Sequence, residues 1–187
     1  MVPVRDFILE SEQNLDVATA IYEQYEDARK SIMRSFLDRL AERLKKKLPG
    51  WTAEYEPSEF FTNRYACFHL FKPHWSKMYT IVLEAYMYGD RMIYGVWRNE
   101  DRLGGTARSP ELLGAIRKTF SEAKSRTYYE AEIPFTSPAT DWRKPAVLWR
   151  IHADETFLAE VEALLLEVVE LAEKQIDVLV KASTKDK

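Results

Sequence analysis

The side chains best suited to chemistry fall in one stretch, residues 65–98: His69, Glu84, Tyr86, Tyr94 and Arg98. A carboxylate, an imidazole, two phenols and a guanidinium on one surface would anchor a small ligand and would offer a general acid and a general base. Cys67 and His69 stand two apart, so a strand would point both the same way. A thiol beside an imidazole is the pattern of an activated nucleophile, although a buried structural cysteine is the commoner occupant of such a position. A second set lies downstream, where Trp142, Arg143, Lys144, Trp149 and Arg150 interleave rings with cations. Interleaving of that kind suits single-stranded nucleic acid, through stacking plus phosphate contact. It equally suits a lid whose rings plug the core while its cations stay wet, or a protein-binding surface.

Several chemistries lack their patterns. There is no H-E-x-x-H, C-x-x-C, G-x-S-x-G or calcium-loop motif. His69, His74 and His152 are far apart in sequence, and zinc needs about four ligands in tetrahedral array. Gly104-Gly105 matches neither phosphate-binding spacing. Lys45, Lys46 and Lys47 read as the cationic end of a helix, not as a nucleic-acid site. No cofactor, no metal and no catalytic residue is assigned on these grounds.

Three strands must position the first set: Tyr65–Phe71, residues 77–87 and residues 92–98. In the middle strand Tyr79, Ile81, Leu83, Ala85 and Met87 share one face, and Met78, Thr80, Val82, Glu84 and Tyr86 the other. A three-residue loop, Gly89 to Arg91, sets Met87 against Ile93, Ala85 against Gly95 and Leu83 against Trp97. That register keeps the first face wholly apolar, whereas a one-residue slip would turn every side chain over and bring Arg98 onto it. The other face then collects Thr80, Val82, Glu84, Tyr86, Tyr94, Val96 and Arg98, with Cys67 and His69 from the preceding strand. Such a mixed face either packs on a second layer, with Glu84 and Arg98 paired at its margin, or forms a shallow pocket anchored by Glu84, His69 and Tyr86.

The flanking elements follow from periodicity. Apolar residues spaced three and four apart, with Asn14 as cap and Pro49-Gly50 as stop, predict a long helix from 14 to about 48. Trp51, Ala53 and Tyr55 alternate as a first strand, which completes a four-stranded antiparallel meander. Ser109-Pro110-Glu111 opens a middle helix ending near Ser125. Residues 127–152 form an irregular aromatic segment in which 146–151 read as a short strand. Asp154 caps a last helix over 155–182 whose apolar stripes are too wide for a two-helix seam. That helix must be covered on several sides, by the first helix and the sheet or by a second chain. The division is an irregular arm over 1–12, one α+β domain over 13–182 and a polar tail over 183–187.

Composition sets the class. With 187 residues, 46% of them hydrophobic, the chain has the apolar material for one core. A net charge of −3 demands no nucleic-acid partner. The lone Cys67 excludes an internal disulfide framework, and with no leader-like start and no apolar run of the ~20 residues a span requires, the expectation is a cytoplasmic protein.

The order Trp51, Tyr65-Ala-Cys-Phe-His-Leu-Phe, Ile81-Val-Leu-Glu-Ala and Tyr94-Gly-Val-Trp97, followed by a long apolar helix, resembles the non-catalytic C-terminal part of prokaryotic PD-(D/E)XK nuclease-like proteins. The resemblance spans residues 20–180 and rests on short motifs. The nuclease signature requires an acid and then D/E-x-K in adjoining strands, and Leu83-Glu84-Ala85-Tyr86 lacks the lysine. It therefore implies an accessory module without the nuclease and carries over no catalytic residue. The reading that results is a non-enzymatic protein-interaction or regulatory module of a prokaryotic cytosolic system, with a protein partner or self-association. The alternatives are a small-ligand-binding enzyme using the mixed face, or a nucleic-acid-binding accessory domain.

Overall fold

The computed structural model describes residues 3–103, 106–136 and 139–185. Its α+β architecture is built on one antiparallel sheet of β1 (Thr52–Glu54), β2 (Tyr65–Phe71), β3 (Tyr79–Tyr86), β4 (Arg91–Arg98), β5 (Lys124–Arg126) and β6 (Tyr129–Pro134), in the order β1-β2-β3-β4-β6-β5. The helices are α1 (Val4–Ile8), α2 (Glu12–Lys47), α3 (Glu100–Leu103), α4 (Pro110–Arg117), α5 (Pro145–Ala153) and α6 (Glu155–Lys185). α2, α4 and α6 lie against the sheet, and α5 packs on α2 and α6. Gly104-Gly105, Pro138 and the last two residues of the tail lie outside the described residues.

The expected meander is β1 to β4, and the sheet is two strands wider. α4 stops at Arg117 rather than near Ser125, because the Arg117 Nε donates to the Ala123 carbonyl at 2.8 Å and turns the chain back into β5. Residues 146–151 are helical, not extended. Pro145 supplies a ready first turn, and Val147, Leu148 and Ile151 recur at helical spacing on the buried side. The arm over 1–12 contains α1. Ser11, not Asn14, caps α2 by accepting from the Asn14 amide, while the Asn14 side chain donates to the Phe7 carbonyl and ties α1 down. Asp154 does cap the start of α6, accepting from the Thr156 amide at 2.9 Å.

The β3–β4 register differs from the expected one. Ala85 faces Met92, Leu83 faces Tyr94, Ile81 faces Val96 and Tyr79 faces Arg98. The turn is four residues, 87–90, and Met87, Tyr88 and Gly89 all take positive φ. Tyr94, Val96 and Arg98 therefore join the helix-covered face, and Ile93, Gly95 and Trp97 stand on the other. The expectation placed them the opposite way because it barred a charge from the apolar face. In the fold Arg98 sits on that face, 1% exposed, and its Nη1 meets a Glu130 carboxylate equally buried, at 2.5 Å. Its Nη2 donates to the Thr106 carbonyl, and the Ser109 amide donates to the second Glu130 oxygen. The Arg98 Nε stands 3.0 Å from the Glu100 carboxylate as an ion pair without hydrogen-bond geometry, so the pair is filled on every side but that one.

A bulge makes that pairing possible. Ala131 pairs with Val96 but Tyr129 pairs with Trp97, so Glu130 is the extra residue. Glu130 turns to Arg98 beneath the helices, and Tyr129 turns to the opposite face. Gly95 lies beside this site at φ 143°, and a Cβ on it would stand 2.0 Å from the Ala131 carbonyl oxygen. Below the sheet, Trp142 packs edge-on against Phe36, Phe135 and Phe157 at centroid distances of 5.4–5.7 Å. α6 is lashed to the β2–β3 connection by Asp177, which accepts from Lys72 Nζ at 2.7 Å, His74 Nε2 at 2.8 Å and Trp75 Nε1 at 2.6 Å.

Two substitutions test this framework. Gly95→Ala is expected to cost more than about 3 kcal/mol in chemical denaturation, since a backbone carbonyl cannot step aside. At Asp177, partial burial pushes the carboxyl up, but the three donors outweigh it and hold its pKa at about 2 against an ordinary 3.8. A depressed carboxyl contributes its full stabilisation above about pH 4 and loses it as pH falls through about 2. Asp177→Asn is thus expected to cost about 1–2 kcal/mol at pH 7 and almost nothing near pH 2, as read by melts across that range.

Candidate functional site

The face away from the helices carries the site. Cys67 and His69 of β2, Glu84 and Tyr86 of β3, Ile93 and Trp97 of β4, and Tyr129 and Glu132 of β6 alternate onto it. With the turn between β5 and β6 they enclose a cavity of about 800 Å³. Among the described residues, those lining it all come from β2, β3, β4, β5, β6 or that turn, and no helix contributes one. Val82, Ile93 and Tyr129 form a small apolar floor, with Tyr86 and Trp97 packed beside it.

Glu84 is the polar centre. It is 5% exposed. Its Oε2 accepts a short hydrogen bond from the Tyr129 hydroxyl and a second from the Cys67 thiol at 3.5 Å. Among the described residues no donor reaches its Oε1. Burial raises the Glu84 pKa, and the bonds from Tyr129 and Cys67 offset part of the rise. Burial, then the neighbouring Glu84 charge, pushes both the Cys67 thiol and the Tyr129 phenol far up. Both keep their protons and act as donors to Glu84.

His69 is close but differently engaged. Its Nδ1 lies 3.0 Å from the Thr80 hydroxyl, and its ring meets Trp97 edge-on at 5.8 Å. Burial lowers its pKa, so the imidazole is neutral at pH 7. The thiol–imidazole pairing is not made: the Cys67 thiol is placed to donate to Glu84 Oε2 at 3.5 Å or to the Tyr65 carbonyl at 3.6 Å. A protonated thiol and a neutral, tethered imidazole make a poor nucleophile and base.

The walls are aromatic and the mouth is charged. Tyr65 and Tyr86 pack at 5.5 Å, and Tyr128 stands at the β5–β6 turn. The Arg91 guanidinium lies 5.8 Å over the Tyr86 ring, and Arg126 Nε lies 3.7 Å from Glu132. Ring faces attract cations, and a buried carboxyl with a free oxygen accepts from N–H groups. The cavity thus combines ring faces and a buried carboxyl inside with two guanidinium groups at its mouth.

Of the first set of sequence candidates, His69, Glu84 and Tyr86 line this cavity. Tyr94 does not: it lies under the helices against Phe120 and Phe135. Arg98 belongs to Glu130, not to Glu84. The second set is dispersed. Trp142 is wholly buried in the core. Arg143 is held by Asp141 and Asp90, and Arg150 by Asp154 and Glu160. Lys144 precedes the first turn of α5, and Trp149 is 68% exposed against His152. Sequence reading missed Trp97 and Tyr129. The alternation of Tyr129, Ala131 and Ile133 with acids was the available sign of β6, but the bulge breaks that period at the residue that matters.

Among the described residues no group of three or more His, Cys, Asp or Glu side chains is placed to hold a metal ion, and no helix is long and apolar enough to cross a membrane. No family model matches the chain, and no curated protein or solved structure matches it either.

Glu84→Gln tests the electrostatics of the floor. A carboxyl with a raised folded-state pKa stabilises the fold only in its protonated form, below its ordinary range, and that stabilisation is lost as pH rises through the folded value. The amide keeps an acceptor for Tyr129 without the charge. Glu84→Gln is expected to melt higher than the native protein at pH 8, with the gap closing by pH 4 in calorimetry.

Proposed function

We propose that the protein is a small-ligand-binding, regulatory module, and that the open face of its sheet accepts an organic amine. One observation carries this: a nearly enclosed carboxyl, Glu84, is fixed by two donors on one oxygen and leaves the other to the cavity. A buried acid of that kind is costly, and a cationic guest would offset the cost. The aromatic walls supply the remaining attraction, and the volume is that of a site for a molecule of drug size. Binding fits the side chains better than bond-making, given a protonated thiol and a tethered imidazole. The accessory status that the nuclease-like resemblance implies is proposed on the same ground, since the acid at Glu84 has a phenol and a thiol beside it in place of a lysine. A reducing compartment such as the cytoplasm fits a cysteine used as a thiol donor.

Three matched probes test the reading: phenethylamine, phenylacetate and phenylethanol, titrated calorimetrically into the full chain. Phenethylamine is expected to bind at least ~10-fold more tightly than either other probe, and to lose that margin in Glu84→Gln. Equal binding of all three, or an amine preference that survives Glu84→Gln, would remove Glu84 as the anchor.

A further inference from the structure

The cavity on the sheet face carries a second charge that a guest must answer. Among the described residues, four formally charged side chains line it: Glu84, Arg91, Arg126 and Glu132. Arg126 and Glu132 face each other at 3.7 Å and balance. The other two are unanswered. Glu84 is buried, and both its donors go to Oε2. Arg91 is exposed at the mouth, 5.8 Å over the Tyr86 ring, and among the described residues no carboxylate stands within ion-pair distance of it. One open acceptor and one open guanidinium suit a guest that carries both signs of charge.

Strand register sets how far apart those two groups stand. Tyr65, Tyr86 and Arg91 form one cross-strand row, and Cys67, Glu84 and Ile93 form the next. Both rows face the cavity, so Glu84 and Arg91 are diagonal neighbours whose side chains root ~7–8 Å apart. A carboxyl oxygen, an ammonium, a carboxylate and a guanidinium in sequence span about 9 Å. That sum takes hydrogen bonds of ~2.9 Å at each end and ~3 Å between an amine and a carboxylate oxygen on the same carbon. The long stem of Arg91 makes up the difference. The head group of an α-amino acid therefore fits between the two rows. The next row along β4 is Gly95, which pairs with Val82 and puts no side chain between Ile93 and Trp97. The face is hollowed there over the apolar floor, with the half-buried Trp97 beside it. An aromatic ring in that hollow meets the indole edge-on or stacks against it.

We propose that the ligand of this face is a free α-amino acid with an aromatic side chain, its ammonium on Glu84 Oε1, its carboxylate on Arg91 and its ring in the hollow at Gly95. The inference rests on Glu84 as the amine anchor and adds the anionic half of the guest. Arg91 is then the residue that separates a free amino acid from the amine left when its carboxylate is removed.

Calorimetric titration of the full chain with L-phenylalanine, phenethylamine, 3-phenylpropanoate and L-alanine tests this. The second probe lacks the carboxylate, the third the ammonium and the fourth the ring. L-Phenylalanine is expected to bind at least ~10-fold more tightly than each of the other three. Arg91→Gln is expected to bring L-phenylalanine down to the level of phenethylamine, with the melting temperature unchanged because Arg91 is exposed. L-Phenylalanine no tighter than phenethylamine, or a margin that survives Arg91→Gln, would overturn the place given to Arg91 while the amine anchor at Glu84 stands. L-Alanine as tight as L-phenylalanine would overturn the ring site. No binding by either L-phenylalanine or phenethylamine would overturn this inference and the anchor together.

Discussion

The ion pair between Arg98 and Glu130 decides which way the site faces. Both groups are almost wholly excluded from water, and each finds further partners in the backbone of Thr106 and Ser109. Such a pair is a weak source of stability but a strong source of specificity, because breaking it strands a buried charge at a cost of about 3–5 kcal/mol. Satisfying it requires Arg98 to point beneath the helices, which fixes the parity of β4. It also requires one extra residue in β6, which frees Tyr129 to turn the other way. Had β6 run without its bulge, Tyr129 would lie under the helices and Glu84 would lose its principal donor. The charged lock on one face and the hydrogen-bonded acid on the other are two results of the same displacement.

That dependence explains what could be read from the residues alone. Strand alternation within β2 and β3 is local, so it puts His69, Glu84 and Tyr86 on one face whatever their partners are. Helix entry at Ser109-Pro110 and exit at Pro49-Gly50 are also local, and their backbone chemistry leaves few choices. Register is not local. Keeping a charge off an apolar face predicts the wrong register here, and Arg98 defeats that rule because its buried counterion, Glu130, arrives from 32 residues further on, with Glu100 beside it at the margin. The same non-local step moved Tyr94 under the helices and brought Trp97 to the cavity. Residues 146–151 carry β-branched and aromatic side chains that suit a strand, yet burial against α2 and α6 rewards the helical spacing of Val147, Leu148 and Ile151. Trp142, beside two cations in sequence, is a core ring in space.

The way the sheet ends limits pairing at its margins. Its edge strands, β1 and β5, are three residues each, and β5 is the cationic run Lys124 to Arg126. Short, charged edges resist pairing with another sheet. Strand-to-strand association is thereby disfavoured at both ends of the sheet. A cavity made only of strands has no helix to close over it, so its selectivity must come from the floor. Glu84 is the polar centre of that floor, and the positions of Tyr129 and Cys67 decide how its carboxyl behaves.

The most direct measurement is therefore the titration of Glu84 itself, followed by carbon-detected NMR of its side-chain carboxyl in the native protein. The expected result is a midpoint clearly above that of the exposed glutamates, moving down when phenethylamine is added, because a bound cation favours the charged form. A midpoint in the ordinary glutamate range, unmoved by the amine, would mean that water reaches both oxygens and that the sheet face holds no site.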